Sequence, residues 1–288
     1  MSKQTLGHLS RRESRAGILF VIPTMILLLV FSIAPIAGTL GISFSNYSLG
    51  VPMKFAGIEN YRSVLGDSDF RTALMTTLKL GFGLALPGTL LAFLIAISIN
   101  AGRKTNIFTS IFFAPVIYPP VVSAFIWSAA YRGDGFINRI LGTNIEWLTS
   151  YKWALFSIVL VMLWTNLGFY IVISLTGLRG ISSTYYEAAS IDGANRWEQL
   201  RWITIPLIKP VLLFIGIVAT GDALQVFTQP YLLTAGGPGS STRVLASLIY
   251  ESSFRSFDFG ASSTMAMVLL ILALLISSIQ FAFLRQKE

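Results

Sequence analysis

The chain has 288 residues, of which 54% are hydrophobic and only 12% charged. A water-soluble domain carries about 25% charged residues, so this composition excludes a fully hydrated surface. The formal net charge of +8 falls in short clusters between apolar stretches, the pattern of loops at a membrane surface rather than of a nucleic-acid groove.

In chain order, six segments reach the roughly 20 apolar residues that a helix needs to cross the hydrocarbon. They are residues 18–40, 80–99, 107–130, 153–178, 211–233 and 261–284. The first follows a basic segment, but its 23 residues exceed the roughly 7–15 of a cleaved signal core, so it reads as a retained helix. Asp222 is the single charge inside a span, and Lys79, at the edge of the second, can snorkel toward the headgroups. Pro23, Pro35, Pro87, Pro115, Pro119 and Pro120 predict kinks, because neighbouring helices in a bundle satisfy the carbonyls that proline frees. The stretch FFAPVIYPP predicts that the third span is the least regular. The expected fold is an all-α membrane protein of six transmembrane helices without a soluble domain. It divides into a tail at 1–17, a six-helix domain at 18–284 and a tail at 285–288.

Lysine and arginine concentrate on the cytoplasmic side of membrane proteins. With the N-terminus inside, the inner loops hold Lys3, Arg11, Arg12, Arg15, Arg103, Lys104, Arg179, Arg196, Arg201, Lys209, Arg285 and Lys287, which makes twelve. The outer loops hold Lys54, Arg62, Arg71, Arg132, Arg139, Lys152, Arg243 and Arg255, which makes eight. This bias predicts that both termini and the loop 179–210 are cytoplasmic.

That loop reads RGISSTYYEAASIDGANRWEQLRWITIPLIKP and predicts two short helices at an angle. Thr184 is the expected cap of the first, with Glu187 completing a capping box. Asp192-Gly193 is a turn and stop signal. Asn195 and Glu198 form the matching box of the second helix, and Pro206 is its expected end. Ala188 and Ala189 give the first helix a small-residue face, which suits insertion into a groove on a partner.

At these residues the chain resembles a known family. Glu187-Ala188-Ala189, then Gly193, then Ile205-Pro206 is similar to the signature loop of inner-membrane permease subunits in binding-protein-dependent ABC importers. FVIPTMILLLVFSIAPIAGTLGISFSNYSL with FAGIENYRSVLGDSDF, and YLLTAGGPGSSTRVLASLIYESSFRSFDFG, resemble the carbohydrate branch of that family, of the maltose and glycerol-3-phosphate type. The resemblance covers nearly the whole chain and implies a type I importer bundle in the cytoplasmic membrane of a prokaryote. It also implies a division of labour among a second, homologous permease, two ATP-binding-cassette ATPases, an extracytoplasmic substrate-binding protein and the lipid bilayer, with no nucleic acid. Glu187, Ala188, Ala189, Asp192, Gly193 and Ala194 would then couple the chain to the ATPase. The sequence has no GxxxxGK[ST] phosphate loop, and its nearest fragment, Gly102-Arg103-Lys104-Thr105, lacks the upstream glycine. The chain is therefore expected to be non-catalytic and to bind no cofactor, with ATP and Mg held by partner subunits.

For the solute path the resemblance points to Trp164, Asn166 and Gly168. Trp164 and Gly168 share a helix face at i, i+4, and an aromatic plane beside amide and small groups suits a sugar ring. A carboxylate in the hydrocarbon costs at least about 2.5–3.5 kcal/mol, so Asp222 is expected to face a cavity shared with Trp164, with Gln225 one turn further. Ala219, Ala223 and Val226 are expected to leave room beside it. An apolar or aromatic residue would be expected at 222 in the maltose branch, which argues against maltose itself. In the family, the turn Gly236-Gly237-Pro238-Gly239 lies near the docked binding protein. The alternatives are a permease for a non-sugar polar solute or a secondary transporter; a single in-span acid and no internal repeat argue against the latter. With no cysteine and His8 as the lone histidine, disulfides, thiolate chemistry and an imidazole metal site are excluded. A membrane enzyme would need a nucleophile or paired carboxylates at membrane depth, and the spans supply neither.

Overall fold

The computed structural model describes residues 3–100, 102 and 105–285; Arg103, Lys104 and Lys287 lie outside the described residues. Helix α1 (Lys3–Leu28) passes through a π-helical turn (Leu29–Ile33) into α2 (Ala34–Ser43). A short antiparallel hairpin follows, β1 (Ser45–Ser48) and β2 (Val51–Phe55), and then α3 (Glu59–Gly66). The second span is α4 (Ser68–Asn100). The third is α5 (Thr105–Phe113), a 3-10 turn (Ala114–Ile117) and α6 (Pro120–Ala130). After α7 (Phe136–Leu141), α8 (Ala154–Arg179) is the fourth span. The loop helices α9 (Ser183–Ile191) and α10 (Arg196–Gln199) lead through a second π turn (Leu200–Thr204) into α11 (Ile205–Leu224). The chain finishes with α12 (Thr228–Thr234), α13 (Leu245–Phe254) and α14 (Phe259–Arg285).

Five helices among the described residues are long and apolar enough to cross a membrane, and the pair α5–α6, bent by 99°, brings the number to six when counted as one span. The bend has a local cause. Tyr118 and Pro119 are extended, and Pro120 opens α6 without a donor to bond back, so the helix cannot run through. The first span also differs from the sequence reading: helix begins at Lys3, inside the segment read as a tail. The hairpin β1–β2 in the first loop was likewise outside the all-helical expectation.

Both π turns stand two residues ahead of a proline, Pro35 at the start of α2 and Pro206 at the start of α11. A proline ring collides with the carbonyl four residues back and offers no donor, and one wider turn accommodates both defects within a continuous helix. Pro206 therefore does not end the second loop helix, contrary to the sequence reading. The helical run Arg196–Leu224 is one span.

The core lies where α4, α8 and α11 meet. Leu80, Leu84, Ala92, Ile158, Val161, Tyr170, Ile171, Ile208, Ile215 and Ala219 are all fully buried there. Small residues set these crossings, as expected where lipid supplies no hydrophobic drive between helices. Gly88 sits against the Tyr170 ring, Gly83 against Val159, and Gly177 against Val211. A smaller cluster of Val64, Phe70, Ala73, Leu245 and Met265 joins the outer parts of the second and sixth spans to α3 and α13. The first span is the least covered and joins the bundle chiefly where α2 packs on α14. None of its most apolar window is buried, and Phe20 and Phe31 are 83% and 73% exposed.

Candidate functional site

The loop between α8 and α11 is a rigid, capped unit. Ser182 caps α9, its hydroxyl accepting from the Thr184 N–H at 3.4 Å. The predicted Thr184–Glu187 box is thus displaced by two residues: Ser182 takes the extended backbone that a cap needs, while Thr184 is already helical. This frees Glu187, which forms no ion pair among the described residues and is exposed. At the other end, Gly193 has φ +82°. Its N–H donates to Ser190 O and the Ala194 N–H to Ala189 O, the paired bonds of a Schellman stop. Asn195 and Glu198 form the expected capping box, with the Asn195 N–H donating to Glu198 Oε2 at 2.7 Å. Gln199 Nε2 reaches back to Ser190 Oγ at 3.0 Å and Ala194 O at 3.3 Å, clamping α10 onto α9. The Tyr186 hydroxyl meets that of Thr204 at the π turn.

This unit turns an apolar surface outward. Tyr185, Ile191, Trp197 and Trp202 are 56%, 87%, 65% and 70% exposed. Ala188, Asp192 and Gly193 are exposed between them, with Ala189 and Ala194 half-buried. Clustered exposed aromatics beside a free carboxylate mark an interaction surface.

The predicted path residues separate into two places. Trp164 stacks on Tyr118 with ring centroids at 6.2 Å and meets Trp127 edge-on at 5.7 Å, both from the bent third span. Asn166 is half-buried, and its Nδ2 donates to Met162 O at 2.8 Å and to Thr165 Oγ1 at 3.3 Å. Gly168 is buried against the Phe112 carbonyl and the Phe113 Cα, with no space for a side chain, so its smallness serves a helix crossing.

Asp222 belongs to the other place. The Tyr170 hydroxyl donates to Asp222 Oδ2 at 3.1 Å. Tyr170 follows Trp164 by six residues, which turns it roughly 120° around α8, so Asp222 is bonded from a different face of α8 than the one that carries Trp164. Ala219 and Ala223 are fully buried and Val226 is 6% exposed. These residues draw α11 into the bundle and leave no open space, which corrects that reading. Asp222 is exposed at their edge. The fifth span also stops earlier than the expected 233: α11 ends at Leu224, Gln225 is its exposed C-cap, and α12 starts only at Thr228.

On the opposite side, the glycine turn is tightly held. Gly236 and Gly239 have φ +83° and +52°, and Gly239 packs against the Tyr151 hydroxyl. The Thr242 hydroxyl donates to Gly237 O at 2.7 Å and meets that of Thr234. Arg243, at the foot of the turn, bridges Glu251 at 2.6 Å and Asp69 at 3.2 Å. On α7, buried Asn138 accepts from Trp147 Nε1 at 3.0 Å and donates to Ile145 O at 3.0 Å. Sequence reasoning missed Tyr170, Tyr186 with Thr204, Arg243 and Asn138. Among the described residues no group of acidic or histidine side chains is arranged to hold a metal.

A bundle of five apolar spans, six with the bent pair counted as one, and a capped helical loop between α8 and α11 define an integral membrane protein. The family model for the binding-protein-dependent transport system inner membrane component matches residues 88–287, and the chain belongs to that family. It is 33% identical to the trehalose/maltose transport system permease protein MalF of Thermococcus litoralis, over 95% of each chain. It is 31% identical to the lactose transport system permease protein LacF of Rhizobium radiobacter, over the full length of both. Its fold matches a chain of a bacterial ABC transporter involved in import of the acidic polysaccharide alginate. That match has a TM-score of 0.83 at 22% identity and covers 98% of this chain and 100% of the other.

Proposed function

We propose that the chain is one of two permease subunits of an ATP-driven importer that moves a sugar or sugar derivative inward across the cytoplasmic membrane. The observation that carries this is the projecting α9–α10 unit, with Glu187, Ala188, Ala189, Asp192, Gly193 and Ala194 at its tip, in a chain whose full-length relatives are named for disaccharide transport. The unit would enter a groove on an ATPase subunit, which holds the ATP and Mg, and Glu187 would meet a basic residue there. The loop 179–210 and both termini would be cytoplasmic, with 18–284 as the transmembrane domain between the tails 1–17 and 285–288. The turn at Gly236, Gly237, Pro238 and Gly239 would face an extracytoplasmic binding protein. Trp164 and Asn166, and separately Asp222 and Gln225, would border the path. The exposed first span supports a second permease, since it meets its own bundle chiefly where α2 packs on α14 and most of its length is free for another helix.

The test is reconstitution of the chain in lipid vesicles with a second permease, the ATPase and the binding protein of its operon. Sugar accumulation is expected only with ATP and binding protein together. Uptake driven by an ion gradient without ATP would instead assign a secondary transporter.

A further inference from the structure

Asp222 occupies a place where a negative charge is doubly unfavourable. It lies two residues from the end of α11, the negative end of the helix dipole. It also lies thirteen residues beyond Lys209, about 20 Å along the axis, with no other charged residue between them. Among the described residues both ion pairs belong to Arg243, and Asp222 joins neither. Its one hydrogen bond comes from Tyr170, whose ring is fully buried against Gly88. That bond engages Oδ2 and fixes the carboxylate at the edge of the bundle, with Oδ1 free. Beside it the helix stops, Gln225 is exposed, and the chain restarts at Thr228.

We infer that Asp222, positioned by Tyr170 at the broken end of α11, is a charge filter in the solute path. It favours neutral and amino-bearing saccharides and turns back carboxylated or phosphorylated ones. The inference rests on the sugar-importer reading. A carboxylate with one oxygen free accepts bonds from hydroxyl or ammonium groups, and repels an anion in a medium that screens poorly. Tyr170 acts through Asp222, as a positioning residue.

The test uses the complete transporter in vesicles and a matched trio of one saccharide in neutral, amino and uronate forms. Rates are normalised to the fraction of each bound by the binding protein, measured separately. The wild type is expected to move the uronate least. Asp222→Asn should raise the uronate-to-neutral ratio about tenfold, the scale of one charge-assisted bond. Asp222→Glu should keep the wild-type order, and Tyr170→Phe should shift the ratio in the same direction as Asp222→Asn, by less. An unchanged ratio in Asp222→Asn overturns the filter, as does assembly lost in Asp222→Asn and recovered in Asp222→Glu, which assigns the carboxylate to a bond with the second subunit. No ATP-driven uptake of any of the three by the wild type overturns the sugar reading itself.

Discussion

The hydroxyl of Tyr186 on α9 lies 3.0 Å from the hydroxyl of Thr204 at the start of the fifth span. A displacement of the loop helix therefore reaches α11 through one side-chain bond as well as through the backbone. A neutral hydrogen bond is worth about 0.5–1.5 kcal/mol, enough to bias a relay without holding the fold. Tyr186→Phe is expected to leave ATP hydrolysis near normal and to lower the sugar moved per ATP. Simultaneous measurement of uptake and phosphate release checks this; an unchanged ratio would remove Tyr186 from the relay.

Gly193 is the position where the backbone itself sets the angle of the loop. A side chain in its left-handed conformation costs about 1–2 kcal/mol, and nothing lies within 4 Å to clash with a Cβ. Gly193→Val should therefore insert and fold, but co-purify less of the ATPase than the wild type. Glu187→Ala should do the same by a different route, since it removes a charge and keeps the angle. Full ATPase recovery with both variants would place the docking surface elsewhere.

Topology is checked simply in a chain without cysteines. Ile191→Cys stands 87% exposed at the loop tip and is expected to react with an impermeant thiol reagent only after the cells are opened. Ser256→Cys, exposed beyond α13, should react in intact cells. The reverse pattern would invert the orientation and end the coupling role with it.

Gly168→Ala tests a packing role. The added methyl would meet the Phe112 carbonyl and the Phe113 backbone, and an overpacked crossing loses about 1–3 kcal/mol. A lower melting temperature of the purified chain in detergent is expected. Undiminished stability would return Gly168 to the list of groups that face the solute.

The apolar runs were legible because a bilayer admits few solutions, and the Asn195–Glu198 and Gly193 signals were legible because each is local. The Ser182 cap was misread because three candidate hydroxyls, Ser182, Ser183 and Thr184, stand in a row and only the backbone distinguishes them. Pro206 was misread because its usual breaking effect is relieved by a π turn that no residue type announces. The Ala219–Ala223 face was taken as space when it is a crossing. Small residues serve either purpose, and only the neighbouring helix decides. The Tyr170–Asp222 bond joins positions fifty-two residues apart, a distance that no local pattern spans.

A first helix that finds so little of its own bundle to lean on also bears on how the chain sits in the bilayer. It touches that bundle chiefly where α2 packs on α14, and residues 18–33 keep their apolar side chains uncovered. Because the tilt of a span is set by packing against neighbouring helices, that contact fixes how the first span leans in the bilayer.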